Sequence, residues 1–313
     1  MLLHWQTQNI TLRLRCRPCF GSAGKKTMKI AGVQTDVAFR EPETNLGTLE
    51  QVLRAETARG TQLTIFPECF VTGYCFDSLE EALEYGQSIP GPTTERVAAL
   101  CRELQTACIF GMLERDGDQL YNVAVLVGPD GLVGSYRKVH LPWLGVDRFT
   151  TAGERPFEVF EVCGVRIGML ICYDGGFPEA SRVLALEGAD LIVLPTNWPP
   201  GGRQMAEYAT NSRAMENGVF FAAVNRVGTE NGFPFIGLSR ICHPSGTTLD
   251  GIDTDEPGII RAEIVVEEAR RKRAVRVPGL HVIDRLADRR PALYGRITDA
   301  HGLLRPGRDE PLE

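Results

Sequence analysis

An apolar run at residues 165–171, VRIGMLI, stops on Cys172, and the chain restarts as a helical pattern after Tyr173-Asp174-Gly175-Gly176-Phe177-Pro178. The run has the length and composition of a buried strand bounded by turn residues. Gly175 and Gly176 allow a sharp turn, and Pro178 suits the first position of a helix. A thiol at such a joint lies near the free N–H groups of a helix start, which favour the thiolate. Against this stands the ordinary fate of an unpaired cysteine, a small inert core residue. Two more strand ends carry residues that a buried sheet does not choose: Glu68 after Ile65-Phe66-Pro67, and Lys138 in Ser135-Tyr136-Arg137-Lys138-Val139-His140-Leu141-Pro142. Ligands of α/β proteins bind beyond strand ends, so the three can converge there. Thiolate nucleophile, carboxylate base and oxyanion-stabilising ammonium suit acyl transfer. Taken singly, Glu68 reads equally well as a charge at a helix N-terminus, and Lys138 as a solvated edge residue.

The elements that must position these residues alternate from Met28 onward. A strand at 29–34 precedes a helix through Leu46, Leu49, Val52 and Leu53, which Gly60 stops before a strand at 62–66. A helix at 94–105 and a strand at 108–112 follow. Hairpins are expected at 121–127 with 132–138, at 157–162 with 165–171 around Gly164, and at 235–242 with 247–249. Helices at 179–188 and 203–217 flank strands at 189–195 and 219–224. A last strand at 258–266 leads into a short helix at 268–273, whose Arg270, Arg271, Lys272 and Arg273 read as a solvated face. Hairpins mixed with strand–helix units predict an α/β fold of mixed sheets covered by helices, not a purely parallel doubly wound sheet. No linker divides 28–280, which reads as one domain. Residues 281–313 form a tail with too little apolar periodicity for a core of its own, which suits docking on a partner subunit.

Composition narrows the class. The chain has 313 residues, 43% hydrophobic and 24% charged, as globular proteins do. A net charge of −6 gives no general nucleic-acid footprint, and no apolar run reaches membrane-spanning length, so neither partner is expected. Nine cysteines, an odd number without a regular framework, suit reduced thiols and a cytoplasmic location. Cys69, Cys75, Cys101, Cys108, Cys163 and Cys242 read as core residues, and Asp174 and Glu179 as partners of Arg182 or as helix caps. Residues 1–27 carry Arg13, Arg15, Arg17, Lys25 and Lys26 with no acidic residue, yet lack a signal peptide's apolar core and are poor in serine. They read as a basic leader, disordered, dispensable or a misassigned start. Within it, Cys16-Arg17-Pro18-Cys19 lacks a redox-fold context, Gly21-Ser22-Ala23-Gly24-Lys25-Lys26-Thr27 misses phosphate-loop spacing, and Asn9-Ile10-Thr11 is a sequon that matters only if secreted. The five histidines show no ligand spacing, so no metal is expected, and no cofactor.

Phe66-Pro67-Glu68-Cys69-Phe70-Val71-Thr72-Gly73-Tyr74, Tyr136-Arg137-Lys138-Val139-His140-Leu141 and Ile171-Cys172-Tyr173-Asp174 resemble, in that order, the three signature segments of the nitrilase (carbon–nitrogen hydrolase) superfamily, in its amidase-like branch. The resemblance extends over about residues 28–296 and takes in Leu194-Pro195-Thr196-Asn197-Trp198 and Arg213-Ala214-Met215-Glu216-Asn217. It implies a four-layer α-β-β-α sandwich with two mixed sheets. It implies that Glu68 is the general base, that Lys138 stabilises the tetrahedral intermediate together with the Tyr173 N–H, and that Cys172 forms a thioester. A homodimer or larger homo-oligomer also follows from the resemblance.

Many relatives carry a further Glu between the Lys and Cys segments. Here Leu144-Gly145-Val146-Asp147-Arg148-Phe149 offers Asp147, one methylene shorter, or else an exposed turn residue paired with Arg148. Carbamoyl-amino-acid hydrolases and omega-amidases of the superfamily hold a substrate carboxylate with an Arg close after the Cys, and that Arg is missing here, although Arg203 or Arg226 could come from another loop. Tyr74, Tyr173, Asn197 and Trp198 suggest a pocket part aromatic and part amide. Trp198 packed under Pro199-Pro200 and Tyr74 in the core are the alternatives. The expected substrate is a small neutral or basic aliphatic amide, cleaved to ammonia and a carboxylic acid. An N-carbamoyl amine of the carbamoylputrescine type is the alternative, ahead of nitrile or omega-amide hydrolysis.

Overall fold

In the computed structural model, which describes residues 25–312, the first half of the chain forms β1 (Thr27–Gln34), α1 (Pro42–Ala58), β2 (Leu63–Ile65), α2 (Leu79–Leu83), α3 (Pro92–Leu104), β3 (Ala107–Asp116), β4 (Gln119–Gly128) and β5 (Gly131–Arg137). There follow β6 (Val159–Val162), β7 (Val165–Met169), α4 (Pro178–Leu186), β8 (Leu191–Thr196), α5 (Thr210–Asn217) and β9 (Phe220–Asn225). The last part holds β10 (Thr229–Glu230), β11 (Phe233–Pro234), β12 (Arg240–Cys242), β13 (Thr248–Gly251), β14 (Gly258–Val265), α6 (Val266–Arg270), β15 (Arg273–Val277) and β16 (His281–Asp284).

Two six-stranded sheets result, ordered β14-β1-β2-β3-β4-β5 and β13-β12-β9-β8-β7-β6. Each has a parallel centre, β1-β2-β3 or β7-β8-β9, flanked by antiparallel strands. Alternation along the strands explains the layers, because successive side chains point to opposite faces. Ile109, Ala124 and Leu126 enter one core with Ile167, Met169, Ala222 and Val224 of the second sheet. Cys108, Phe110, Val123, Val125 and Val127 face the other way and pack with Leu46, Leu49 and Leu53 of α1 and Val97 and Leu100 of α3. Ala180 and Leu184 of α4 and Ala214 of α5 cover the second sheet. The fold is therefore an α/β four-layer α-β-β-α sandwich with two mixed sheets. Among the described residues, no helix is long and apolar enough to cross a membrane.

Several local expectations change. The helix expected at 203–217 begins with a π-helical segment, Met205–Ala209, before α5. The helix expected at 268–273 is α6, and Arg273 already belongs to β15. Its basic residues are not simply a solvated face. Arg270 pairs with the buried Asp190 at 2.8 Å, and Lys272 Nζ donates to the Gly218 carbonyl at 2.7 Å, at the end of α5. Such carbonyls attract a cation, and burial brings the Lys272 pKa down to about 8. Cys163 is exposed between β6 and β7, not in a core. The domain limit expected at 280 cuts the β15–β16 hairpin. Thr27 pairs with Val265, so β1 starts within the expected leader; the Cys16–Cys19 pair, the Asn9 sequon and the start of the glycine-rich segment lie outside the described residues.

A buried ion pair secures the loop that follows β2. Arg226 and Glu230 pair with both side chains 1% exposed, and Glu230 also accepts the N–H groups of Tyr74 and Cys75. Removing one member leaves a buried charge without its partner. Glu230→Ala is expected to lower unfolding free energy by about 3–5 kcal/mol, read from the urea midpoint; an unchanged midpoint refutes this account of the loop.

Candidate active site

Glu68 lies just beyond β2, Lys138 just beyond β5, and Cys172 beyond β7, so three strand ends deliver three side chains. Lys138 Nζ stands 2.7 Å from Glu68 Oε1 and 2.5 Å from Asp147 Oδ2, and all three side chains are fully buried. Asp147 comes from a short 3-10 turn, Gly145–Arg148. It is not an exposed residue paired with Arg148, whose guanidinium donates to the carbonyls of Gly145 and Phe76. Tyr74 is buried and donates its hydroxyl to Asp147 Oδ2 at 2.8 Å.

Asn122 of β4 completes this cluster and is not singled out by the sequence analysis. Its Nδ2 donates to Glu68 Oε1 at 2.7 Å and to Asp147 Oδ1 at 2.9 Å. The signal was an amide inside Tyr121-Asn122-Val123-Ala124-Val125, since asparagine is uncommon in strands. Gly111 of β3 lets the Glu68 loop lie against the sheet. A Cβ there would sit 2.2 Å from the Cys69 backbone nitrogen and 2.7 Å from Glu68 Cα.

The sharp turn at the thiol is made by Cys172 itself, with φ at 46°, rather than by Gly175 or Gly176. A non-glycine residue there costs about 1–3 kcal/mol and needs support from its surroundings. Asp174 provides it: Oδ2 accepts the Ile171 N–H and the Tyr136 hydroxyl, each at 2.9 Å, and Oδ1 accepts the His140 N–H at 3.0 Å. Asp174 thus caps the thiol turn and ties it to the chain after Lys138, instead of holding Arg182.

Cys172 opens a five-residue 3-10 turn, and α4 starts only at Pro178, so the thiol does not sit at that helix's N-terminus. Burial, reinforced by the negative charge of Glu68, pushes its pKa up to about 12, against the pull of Lys138, the Thr196 hydroxyl and the Asn197 N–H. The expected resting thiolate is replaced by a thiol. Burial also raises Glu68 above the usual carboxylate range, against Lys138 and with help from Asp147. Burial opposes the charge on Lys138, but Asp147 and Glu68 outweigh it and hold the ammonium well above the ordinary lysine value.

Glu68 Oε2 and both side-chain polar atoms of Asn197 are buried without a protein hydrogen-bond partner. Trp198 packs in the main core, and Tyr173 is 45% exposed, edge-on to Phe177. Of the two alternative arginines, Arg226 is sealed against Glu230 and Asp36, while Arg203 is half-exposed and pairs with Glu207 one helical turn on. A proton acceptor with one free oxygen, a buried ammonium and a neutral thiol can together support nucleophilic attack on a carbonyl-type carbon and stabilise the resulting oxyanion.

The model of the carbon-nitrogen hydrolase family matches residues 29–274. A nitrilase of Pyrococcus abyssi is 39% identical over 79% of this chain and 93% of its own. An (R)-stereoselective amidase of Pseudomonas sp. is 33% identical over 87% of this chain and 93% of its own. Among solved structures, the amidase from Nesterenkonia sp. AN1 superposes with a TM-score of 0.72 at 26% identity, over 86% of this chain and 97% of that one. One mutant of that amidase shows covalent addition of the acetamide moiety of fluoroacetamide at the active-site cysteine, and another is in complex with butyramide.

A hydrogen bond to the ionised carboxylate favours that form, so losing it raises the pKa. Asn122→Ala is therefore expected to raise the Glu68 pKa further. Activation of Cys172 by Glu68 should then fade at higher pH as the solution is acidified. The pH profile of Cys172 alkylation by iodoacetamide, followed by intact mass, checks this; an acidic limb that stays in place excludes the Asn122–Glu68 coupling.

Proposed function

The chain belongs to the carbon-nitrogen hydrolase family and is an amidase-type hydrolase, and from that premise we propose that it cleaves a small aliphatic amide through a thioester on Cys172. The observation that carries this reading is the pairing of Lys138 with one Glu68 oxygen while the other, Oε2, has no protein partner. Glu68 takes the Cys172 proton as the sulfur attacks the amide carbon. The negative charge formed on oxygen is stabilised by the Lys138 ammonium and the Tyr173 N–H. As the C–N bond breaks, the protonated Glu68 returns that proton to the nitrogen, and ammonia leaves. Water then attacks the thioester and gives a proton to Glu68; the carboxylic acid departs, and the sulfur recovers its proton. A glutamate raised above the usual carboxylate range suits a base and acid working near neutrality. Asp147, Asn122 and Tyr74 orient the pair.

A neutral amide is preferred because no arginine closely follows Cys172 in the chain and Arg226 is sealed against Glu230 and Asp36. The butyramide complex of the Nesterenkonia amidase supports an aliphatic acyl chain. Asn197 carries the second reading: its unpartnered carbonyl oxygen could accept the N–H beyond the scissile carbon of an N-carbamoyl amine. Reduced thiols suit a cytoplasmic setting. The exposed Leu293, Ile297, Leu303 and Leu304 of the tail support association with a second copy.

Ammonia release from butyramide, acetamide, N-carbamoylputrescine and an aliphatic nitrile tests the proposal. Butyramide is expected to turn over, and Cys172→Ala to lose roughly 10⁴-fold or more of the rate. Turnover of the carbamoyl amine alone selects the second reading. A Cys172→Ala protein as fast as the parent overturns both.

A further inference from the structure

The C-terminal end of the described chain returns to the site. Residues 305–310 form a tight turn held by its own bonds: Arg305 Nε and Nη2 meet the Asp309 carboxylate at 2.6 and 2.8 Å, and the Gly307 N–H donates to the Glu310 carbonyl at 2.9 Å. Most of the tail from Tyr294 onward is exposed, but Gly307 and Arg308 are half-buried. Both rest on the segment between Lys138 and Asp147. Gly307, at a φ of 71°, lies against the Trp143 ring so closely that a Cβ would sit 2.3 Å from it. Arg308 Cζ stands 5.9 Å from the centre of the same ring, and Arg308 Nη2 donates to the backbone carbonyl of Asp147.

We propose that Arg308 is a positioning residue of the active site, which acts by fixing the backbone of Asp147 and, through its carboxylate, the Lys138 ammonium. The inference rests on the role given above to Lys138. Asp147 has a short side chain whose two oxygens meet Lys138, Tyr74 and Asn122. With only two side-chain torsions available, its carboxylate goes where the backbone of Gly145–Arg148 puts it. Among the described residues, the Arg308 guanidinium is the group hydrogen-bonded to the Asp147 carbonyl. Trp143 and Asp147 are thus gripped at two points by one preformed turn, on the segment that joins them to Lys138. A supporting contact of this kind matters because site geometry must hold within about half an ångström.

The test compares the full chain with Arg308→Ala and Arg308→Lys in three measurements: Cys172 alkylation by iodoacetamide against pH, kcat and KM for butyramide, and the melting temperature. Arg308→Ala is expected to slow alkylation and lower kcat by roughly tenfold, with KM changed by no more than about twofold. Arg308→Lys, which keeps a cationic donor, should recover most of both. If Arg308→Ala fails to fold, Gly307→Val, which drives the turn off Trp143 and keeps the guanidinium, is read in the same assays with the same expectation for alkylation and kcat. Parental alkylation and kcat in the variant read overturn the proposal. Equal losses in Arg308→Ala and Arg308→Lys that follow the melting temperature alone also overturn it. A parent protein that alkylates but leaves butyramide intact sinks the amide reading, while the alkylation comparison still decides the role of Arg308.

Discussion

The Lys138 ammonium, sealed from water between the carboxylates of Glu68 and Asp147, is the interaction on which the rest of the site depends. Removing ions from water costs several kcal/mol each, and only close geometry with further hydrogen bonds offsets it. Here those bonds come from Asn122, which donates to both carboxylates, and from the Tyr74 hydroxyl. Two negative charges face one positive charge, and that imbalance shapes the chemistry. It holds Lys138 protonated and, with burial, raises Glu68 toward the range where a carboxylate can both take and give a proton.

The same burial explains why Cys172 rests as a thiol. A thiolate beside Glu68 in a dry site is disfavoured, and the pull of Lys138 does not overcome this. In the proposed reaction the base therefore works as the sulfur attacks, instead of drawing on a standing thiolate. The left-handed backbone at Cys172 belongs to the same arrangement. Asp174 holds that turn, and through Tyr136 and His140 it links the second sheet to the Lys138 segment of the first. The two sheets thus meet at the site through hydrogen bonds as well as through apolar packing.

How far the sequence could be read depended on whether a signal was local. Strand runs, hairpin turns and the helical spacing of α1 were legible because side-chain period and turn chemistry are properties of short segments. Glu68, Lys138 and Cys172 stood out because each places a polar or reactive side chain at the end of an expected strand. Trp198 is buried in the same core cluster as Cys172, which its local sequence does not disclose, and Arg226 is taken up by Glu230 and Asp36. The basic run at 270–273 read as a solvated surface because its buried partner, Asp190, and the helix end it caps lie far away in the chain.

By itself, then, the sequence determined the mixed sheets covered by helices and singled out the candidate site residues, because periodicity and strand-end polarity are written in neighbouring residues. The layer order followed from the resemblance of three segments to a known family. Tertiary structure alone decided that Asp147 is buried on Lys138, that Asn122 bridges the two carboxylates, and that Arg308 reaches back to the Asp147 carbonyl. It also decided the protonation of Cys172, since a pKa depends on burial and on the charges nearby in space. Those are sums over residues dozens of positions apart, and no local pattern carries them.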